Sequence, residues 1–176
     1  MPIPPYVSAL RTRIGTDLLW LPGVTAVVLD ADGGQILLGR RADTGQWALI
    51  SGILDPGEEP AVGIVREVLE ETGVDVVVEA LAAVTVTEQV RYPNGDRSQY
   101  LDLCFVCRPA DAEAAQHAYA ADDESLEVAW FALDEIPDAF AATSAVRLDR
   151  TLDFMLAPAR GPWFGGGDQI NEQARR

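Results

Sequence analysis

The sequence predicts an α/β fold in which a mixed sheet is covered by helices on both sides. Runs of β-branched residues, such as Val24 to Asp30 and Val74 to Val78, alternate with stretches of helical spacing such as Thr143 to Leu156. That alternation is the pattern of a layered α/β domain. With 176 residues, 48% of them hydrophobic, the chain can build one substantial core but not a second full domain. We therefore expect a single domain over residues 1–160, with helical additions at its N- and C-terminal ends. Residues 161–176 carry Gly165-Gly166-Gly167 and few core residues, and are expected to be a mobile tail unless Trp163 and Phe164 dock.

Taken in order, Tyr6 to Trp20 carries apolar residues at Val7, Leu10, Ile14, Leu18 and Leu19, a helical spacing with a break at Gly15. Pro22-Gly23 ends that helix, and Val24 to Asp30 reads as a buried strand. Asp32-Gly33-Gly34 is a tight turn, so Gln35 to Arg41 should return as the hairpin partner. A loop at Asp43 to Gln46 leads into the short apolar segment Trp47 to Ile50. Val74 to Val78 and Leu81 to Val90 read as two strands, and Tyr92 to Arg97 as the turn into a third at Ser98 to Arg108. Ala110 to Asp123 lacks an apolar stripe and reads as an exposed excursion. Leu126 to Phe131 is a strand, Leu133 to Pro137 a short turn, and Thr143 to Leu156 a helix with Val146, Leu148, Leu152 and Met155 at helical spacing.

Composition excludes several classes of function. A net charge of −15 opposes binding to nucleic acid polymers or to anionic membranes. No basic segment followed by an apolar one opens the chain, and no apolar run reaches about 20 residues. The expectation is a soluble cytoplasmic protein. Cys104 and Cys107 fall three apart on a strand and so point to opposite faces, which favours two buried free thiols over a zinc or redox pair.

The stretch from Gly52 to Val74 organises the rest. Pro60 suits a first helical turn and Gly73 a left-handed C-cap, so a helix spans Pro60 to Thr72. On a helical wheel Val62, Val65, Val68 and Leu69 fall on one face, expected to pack, and Glu67, Glu70 and Glu71 gather on the other. An acidic face is ordinarily a solvated one. Three carboxylates within about one and a half turns nevertheless repel one another, and hard oxygen ligands suit magnesium or manganese.

The spacing runs Gly52, five residues, Glu58, seven residues, Arg66-Glu67-Val68, one residue, Glu70-Glu71, one residue, Gly73-Val74. It resembles the signature of the Nudix hydrolases at every fixed position. The hairpin before it, the Tyr92-to-Asp96 loop and the Trp130-to-Pro137 segment also resemble family features, so that Val24 to Pro137 is the expected shared domain. The resemblance implies an α/β/α sandwich around a mixed sheet, and Mg²⁺-dependent (or Mn²⁺-dependent) hydrolysis of a nucleoside diphosphate linked to a further group. Residue by residue, it implies that Glu70 and Glu71 bind the metal and that Glu67 shares in metal binding or orients the water. It gives Ser51 a backbone carbonyl offered to the metal, Glu58 and Arg66 an ion pair steadying the loop, and Gly52 and Gly73 structural support. For a further acidic ligand or base from a later loop, Glu124 is the candidate by its place before Trp130, with Asp122, Asp123 and Glu127 standing close enough to compete. Many members have glycine where Ser51 stands.

Arg40 and Arg41, solvent-facing by default, are candidates for substrate phosphate. Trp47 is a candidate for stacking on a base or for packing at the sheet edge. The implied partner is a small nucleotide or nucleoside diphosphate derivative: a nucleoside triphosphate, ADP-ribose or a nucleotide sugar. A homodimer is compatible with the resemblance, since related domains often pair. The competing expectation is a Nudix-like domain that binds or senses a nucleotide without turnover.

Overall fold

The computed structural model describes residues 4–122 and 124–165. Four helices and eight strands follow one another as α1 (Pro5–Ile14), β1 (Leu18–Val28), β2 (Gln35–Arg41), β3 (Trp47–Ala48), β4 (Ile50–Ile53), α2 (Pro60–Thr72), β5 (Val76–Val86), β6 (Val90–Arg91), β7 (Arg97–Pro109), α3 (Ala112–Gln116), β8 (Ser125–Ala132) and α4 (Ala142–Leu156). Part of the tail expected to be mobile, residues 166–176, lies outside the described residues.

The main sheet has the order β4-β1-β7-β5, with β6 added beside β7. It is mixed, because β1 runs parallel to β7 from Leu18 opposite Arg97 to Val28 opposite Cys107, while its other pairings are antiparallel. From Gly23 to Val28 strand β1 is buried on both faces, which is why that part of its sequence is nearly continuous apolar rather than alternating. Val24, Ala26 and Val28 meet Ile64 and Val68 of α2, whereas Val27 and Leu29 meet Leu148 of α4 on the other side. The expected sandwich of helix, sheet and helix is thus present. Cys107 sits in the α2 layer and Cys104 in the α4 layer, both buried and both free thiols. Trp163 docks, exchanging backbone hydrogen bonds with Ala82 and Val84. Among the described residues no helix is long and apolar enough to cross a membrane.

Four local expectations need correction. The first helix stops at Gly15, whose φ of 58° turns the chain, and Leu18 to Trp20 join β1 because β7 offers them backbone partners. Strand β2 does not pair along β1: after a single bridge between Leu29 and Ile36 it leaves for a second, antiparallel sheet of order β3-β2-β8. The two strands expected at 74–78 and 81–90 are largely one, β5, whose irregularities at 78–80 and 81–83 interrupt the ladder without ending it. A one-turn helix, α3, lies within the expected excursion, with the Asp111 side chain capping the Ala114 amide.

Helix α1 is held from both ends. Tyr6 donates its hydroxyl to the Leu54 carbonyl, and the Arg11 guanidinium donates to the Arg97 carbonyl and the Ser98 hydroxyl. The helix therefore straps the loop after β4 to the β6–β7 hairpin.

Candidate active site

Helix α2 begins with Pro60 at its first turn and ends at Gly73, which adopts the left-handed conformation (φ 68°) and donates its amide to Leu69. Both bounds agree with the sequence expectation. The faces do not. The buried stripe is Gly63, Ile64, Glu67, Val68, Glu71 and Thr72, while Val62 and Leu69 are exposed. Glu67 and Glu71, one turn apart, thus lie on the inward stripe, and Glu70 lies on the outer face. Glycine is what admits this arrangement. A Cβ on Gly63 would stand 2.3 Å from the Leu54 side chain and 3.0 Å from a Glu58 oxygen, so that face packs closely because the helix is bare there.

Arg66 is the hub of the loop–helix junction. It forms a two-pronged pair with Glu58, Nε to Oε1 at 2.8 Å and Nη2 to Oε2 at 2.9 Å. Its Nη1 lies 3.0 Å from Glu67 and 3.2 Å from Glu70, and Nη2 reaches the Ile53 carbonyl at 3.4 Å. Glu58 accepts in addition from the Asp55 amide. The guanidinium beside Glu58 holds that carboxyl below its usual range, and the Arg66 pKa is raised in return. The expected Glu58–Arg66 pair is present.

Glu67 and Glu71 show the opposite electrostatics. Burial raises the Glu67 pKa, with Arg66 opposing. Burial, then the charges of Glu67 and Asp122, push Glu71 up to about 8, and Arg41 offsets this only in part. Glu67 is thus buried with Arg66 as its partner, Glu71 is buried with only partial compensation from Arg41, and the oxygens of both are hard donors. Among the described residues no three acidic, His or Cys side chains converge on one point, because Arg66 holds Glu67 and Glu70 in ion pairs. The excess negative charge and the donor type fit a hard divalent cation.

Ser51 sits in β4 opposite Thr25 with an ordinary φ, so serine is unstrained there. Gly52 follows and packs against Glu67. Arg40 is occupied by the Gly45 carbonyl and lies 3.9 Å from Glu127, and Arg41 forms a two-pronged pair with Asp43. The Arg41 charge also bears on Glu71 and on Tyr92. Trp47 stands edge-on to Phe131 at 4.7 Å between centroids, in the core layer of α4. The Glu124 carbonyl accepts from Ala42, which ties the β8 lead-in to the end of β2. Among the loop acids, the charge of Asp122, one of the sequence competitors of Glu124, bears on Glu71.

A family model described as NUDIX domain matches residues 20–151, a wider span than Val24 to Pro137. A MutT-like protein of Streptomyces ambofaciens is 37% identical over 130 residues, covering 74% of this chain and 75% of its own. An RNA pyrophosphohydrolase of Rickettsia prowazekii is 44% identical over 59 residues, and the match spans only 36% of that protein. Among solved structures, a UDP-X diphosphatase superposes with a TM-score of 0.61 at 23% identity, covering 91% of this chain and 74% of that one, a likeness of fold.

Proposed function

The chain belongs to the NUDIX domain family, and from that premise we propose that it is a Mg²⁺-dependent (or Mn²⁺-dependent) pyrophosphohydrolase that cleaves the phosphoanhydride bond of a nucleoside diphosphate linked to another group. The observation that carries this reading is the pair of inward carboxyls, Glu67 and Glu71, beside Gly52 and framed by the Arg66 fork. Glu67, Glu70, Glu71 and the Ser51 carbonyl would hold the metal. When bound, the divalent ion neutralises phosphate charge and acidifies water. In this reading Glu67 would accept a proton from the attacking water, and Glu124 or its neighbour Asp122 would be the loop acid completing the site. Gly52 keeps room for the Glu67 carboxyl, and Glu58 with Arg66 fixes the loop against the helix. Arg41, whose charge bears on Glu71, would meet substrate phosphate by exchanging its pairing with Asp43. Trp47 supports the site by packing.

The substrate class proposed is a nucleoside triphosphate, ADP-ribose or nucleotide sugar. The test is a screen of these compounds and of dinucleoside polyphosphates for Mg²⁺-dependent release of phosphate, pyrophosphate or nucleoside monophosphate. Turnover abolished by EDTA and restored by Mg²⁺ is the expected result. Nucleotide binding without turnover would instead establish the non-catalytic binding domain.

A further inference from the structure

A cleft of about 330 Å³ lies beneath α1, against the β6–β7 hairpin. It is lined by the apolar Val7 of α1, Leu21 and Ile53, and by Tyr92, Tyr100 and Asn94. We infer that this cleft receives the nucleobase of the substrate, so that α1, a helix outside the matched domain span of 20–151, takes part in substrate choice. The inference rests on the pyrophosphohydrolase reading for what the base is attached to, though not for the binding itself.

The chemistry of the walls selects the ligand. The Tyr92 and Tyr100 hydroxyls are hydrogen-bonded to each other at 2.7 Å, so one proton is used between them and the second remains to donate. Two tyrosine rings in one cleft with aliphatic side chains suit a flat group with a π-face and a polar edge, which describes a nucleobase. Asn94 uses one amide proton on Asp96 and keeps another for that edge. Phosphate does not suit the cleft: the cation on its wall, Arg11, is already spent on the Gly15, Asp17 and Arg97 carbonyls, the Ser98 hydroxyl and Asp96. The volume falls at the lower end of the range for small-molecule pockets, about 300–1,000 Å³, and is ample for a single base.

The cleft also adjoins the acidic site. Ile53 lines it, and the Ile53 carbonyl accepts from Arg66 Nη2 at 3.4 Å, the same guanidinium that pairs with Glu67 at 3.0 Å. On the hairpin side the Arg41 charge bears on both Tyr92 and Glu71. A nucleotide with its base under α1 would therefore direct its phosphates toward the carboxylates.

Saturation-transfer NMR on the full chain, in EDTA, with adenosine, guanosine, cytidine and uridine as probes, tests the cleft apart from turnover. At least one nucleoside is expected to receive transfer at its base protons. Tyr92→Leu and Tyr100→Leu should each weaken it by at least about five-fold, the lower end of base–aromatic stacking, and Tyr92→Phe should retain most of the binding. Tyr92 is 37% exposed, so its replacement leaves a folded protein even if Tyr100→Leu does not. No transfer to any of the four, or affinity unchanged in folded Leu variants, overturns the inference. Nucleoside binding lost in the variants, in a protein that hydrolyses no diphosphate, supports the cleft and counts against the hydrolase reading alone.

Discussion

Gly52 and Glu67 stand so close that a Cβ built on the glycine would lie 1.9 Å from the carboxyl carbon of the glutamate. Gly52→Ala therefore forces the carboxylate aside or opens the gap between β4 and α2. Displacing a catalytic group by about 1 Å costs roughly a hundred-fold in rate. We expect kcat/KM to fall by about that factor or more, with an unchanged far-UV circular dichroism spectrum. Activity within about two-fold of the parent would show that Glu67 need not occupy this place.

Glu71→Gln separates function from stability. The parent carboxyl is disfavoured by burial and by Glu67 and Asp122, so an uncharged amide of the same shape relieves the metal-free fold. In EDTA the variant should melt at least about 2 °C higher than the parent, corresponding to roughly 1 kcal/mol for a chain of this size. Mg²⁺ should raise the Tm of the parent and not that of the variant, and turnover should drop by orders of magnitude, as it should for Glu70→Gln. An unchanged Mg²⁺ response in both variants would remove these residues from the metal site.

How much of this was legible in the sequence depends on what kind of residue carried the signal. The bounds of α2 were readable because Pro60 and Gly73 act locally, through a fixed φ and a left-handed cap. Its faces were not. The packed side is marked by Gly63, which contributes no hydrophobicity to a helical wheel yet admits Leu54 and Glu58, whereas Val62 and Leu69 drew the expected face toward solvent. Asp122 could be named beside Glu124 but not ranked against it: in an acidic run, only the three-dimensional path of the loop decides which carboxylate bears on Glu71. The attachment of α1 depends on Tyr6 reaching Leu54 and Arg11 reaching Arg97, pairings with no local periodicity.

Arg66→Lys tests the fork. Lysine keeps the charge but cannot present two parallel N–H groups to Glu58 while also reaching Glu67 and Glu70. The loss should be about 2 kcal/mol, the scale of charge-assisted hydrogen bonds. Urea unfolding monitored by fluorescence measures it, and a change below about 0.5 kcal/mol would reduce the fork to a surface ion pair.

The two thiols supply a pH dependence remote from the acidic site. Burial pushes Cys104 and Cys107 each up to about 12 from an ordinary 9.0. The folded chain thus keeps both protons where the unfolded chain has released them. Their contribution to stability is whole below pH 9 and is lost as the pH rises toward 12. At pH 8 the native protein should leave a thiol reagent such as Ellman's almost unreacted, and denaturation should release two equivalents. Fast reaction of either cysteine in the native state would contradict the buried placement.

The parallel pairing of β1 with β7 has a consequence for how the chain comes to be folded at all. Leu18 meets Arg97 and Val28 meets Cys107, so the central ladder joins segments far apart along the polypeptide. Such ladders carry a large loop-closure entropy before any contact repays it, and they form slowly. During synthesis β1 leaves the ribosome long before its partner, with Val24, Ala26, Val27, Val28 and Leu29 uncovered. Only when residues up to Pro109 have emerged can the sheet close, which makes the nascent N-terminal half a natural client for a chaperone that shields exposed strands.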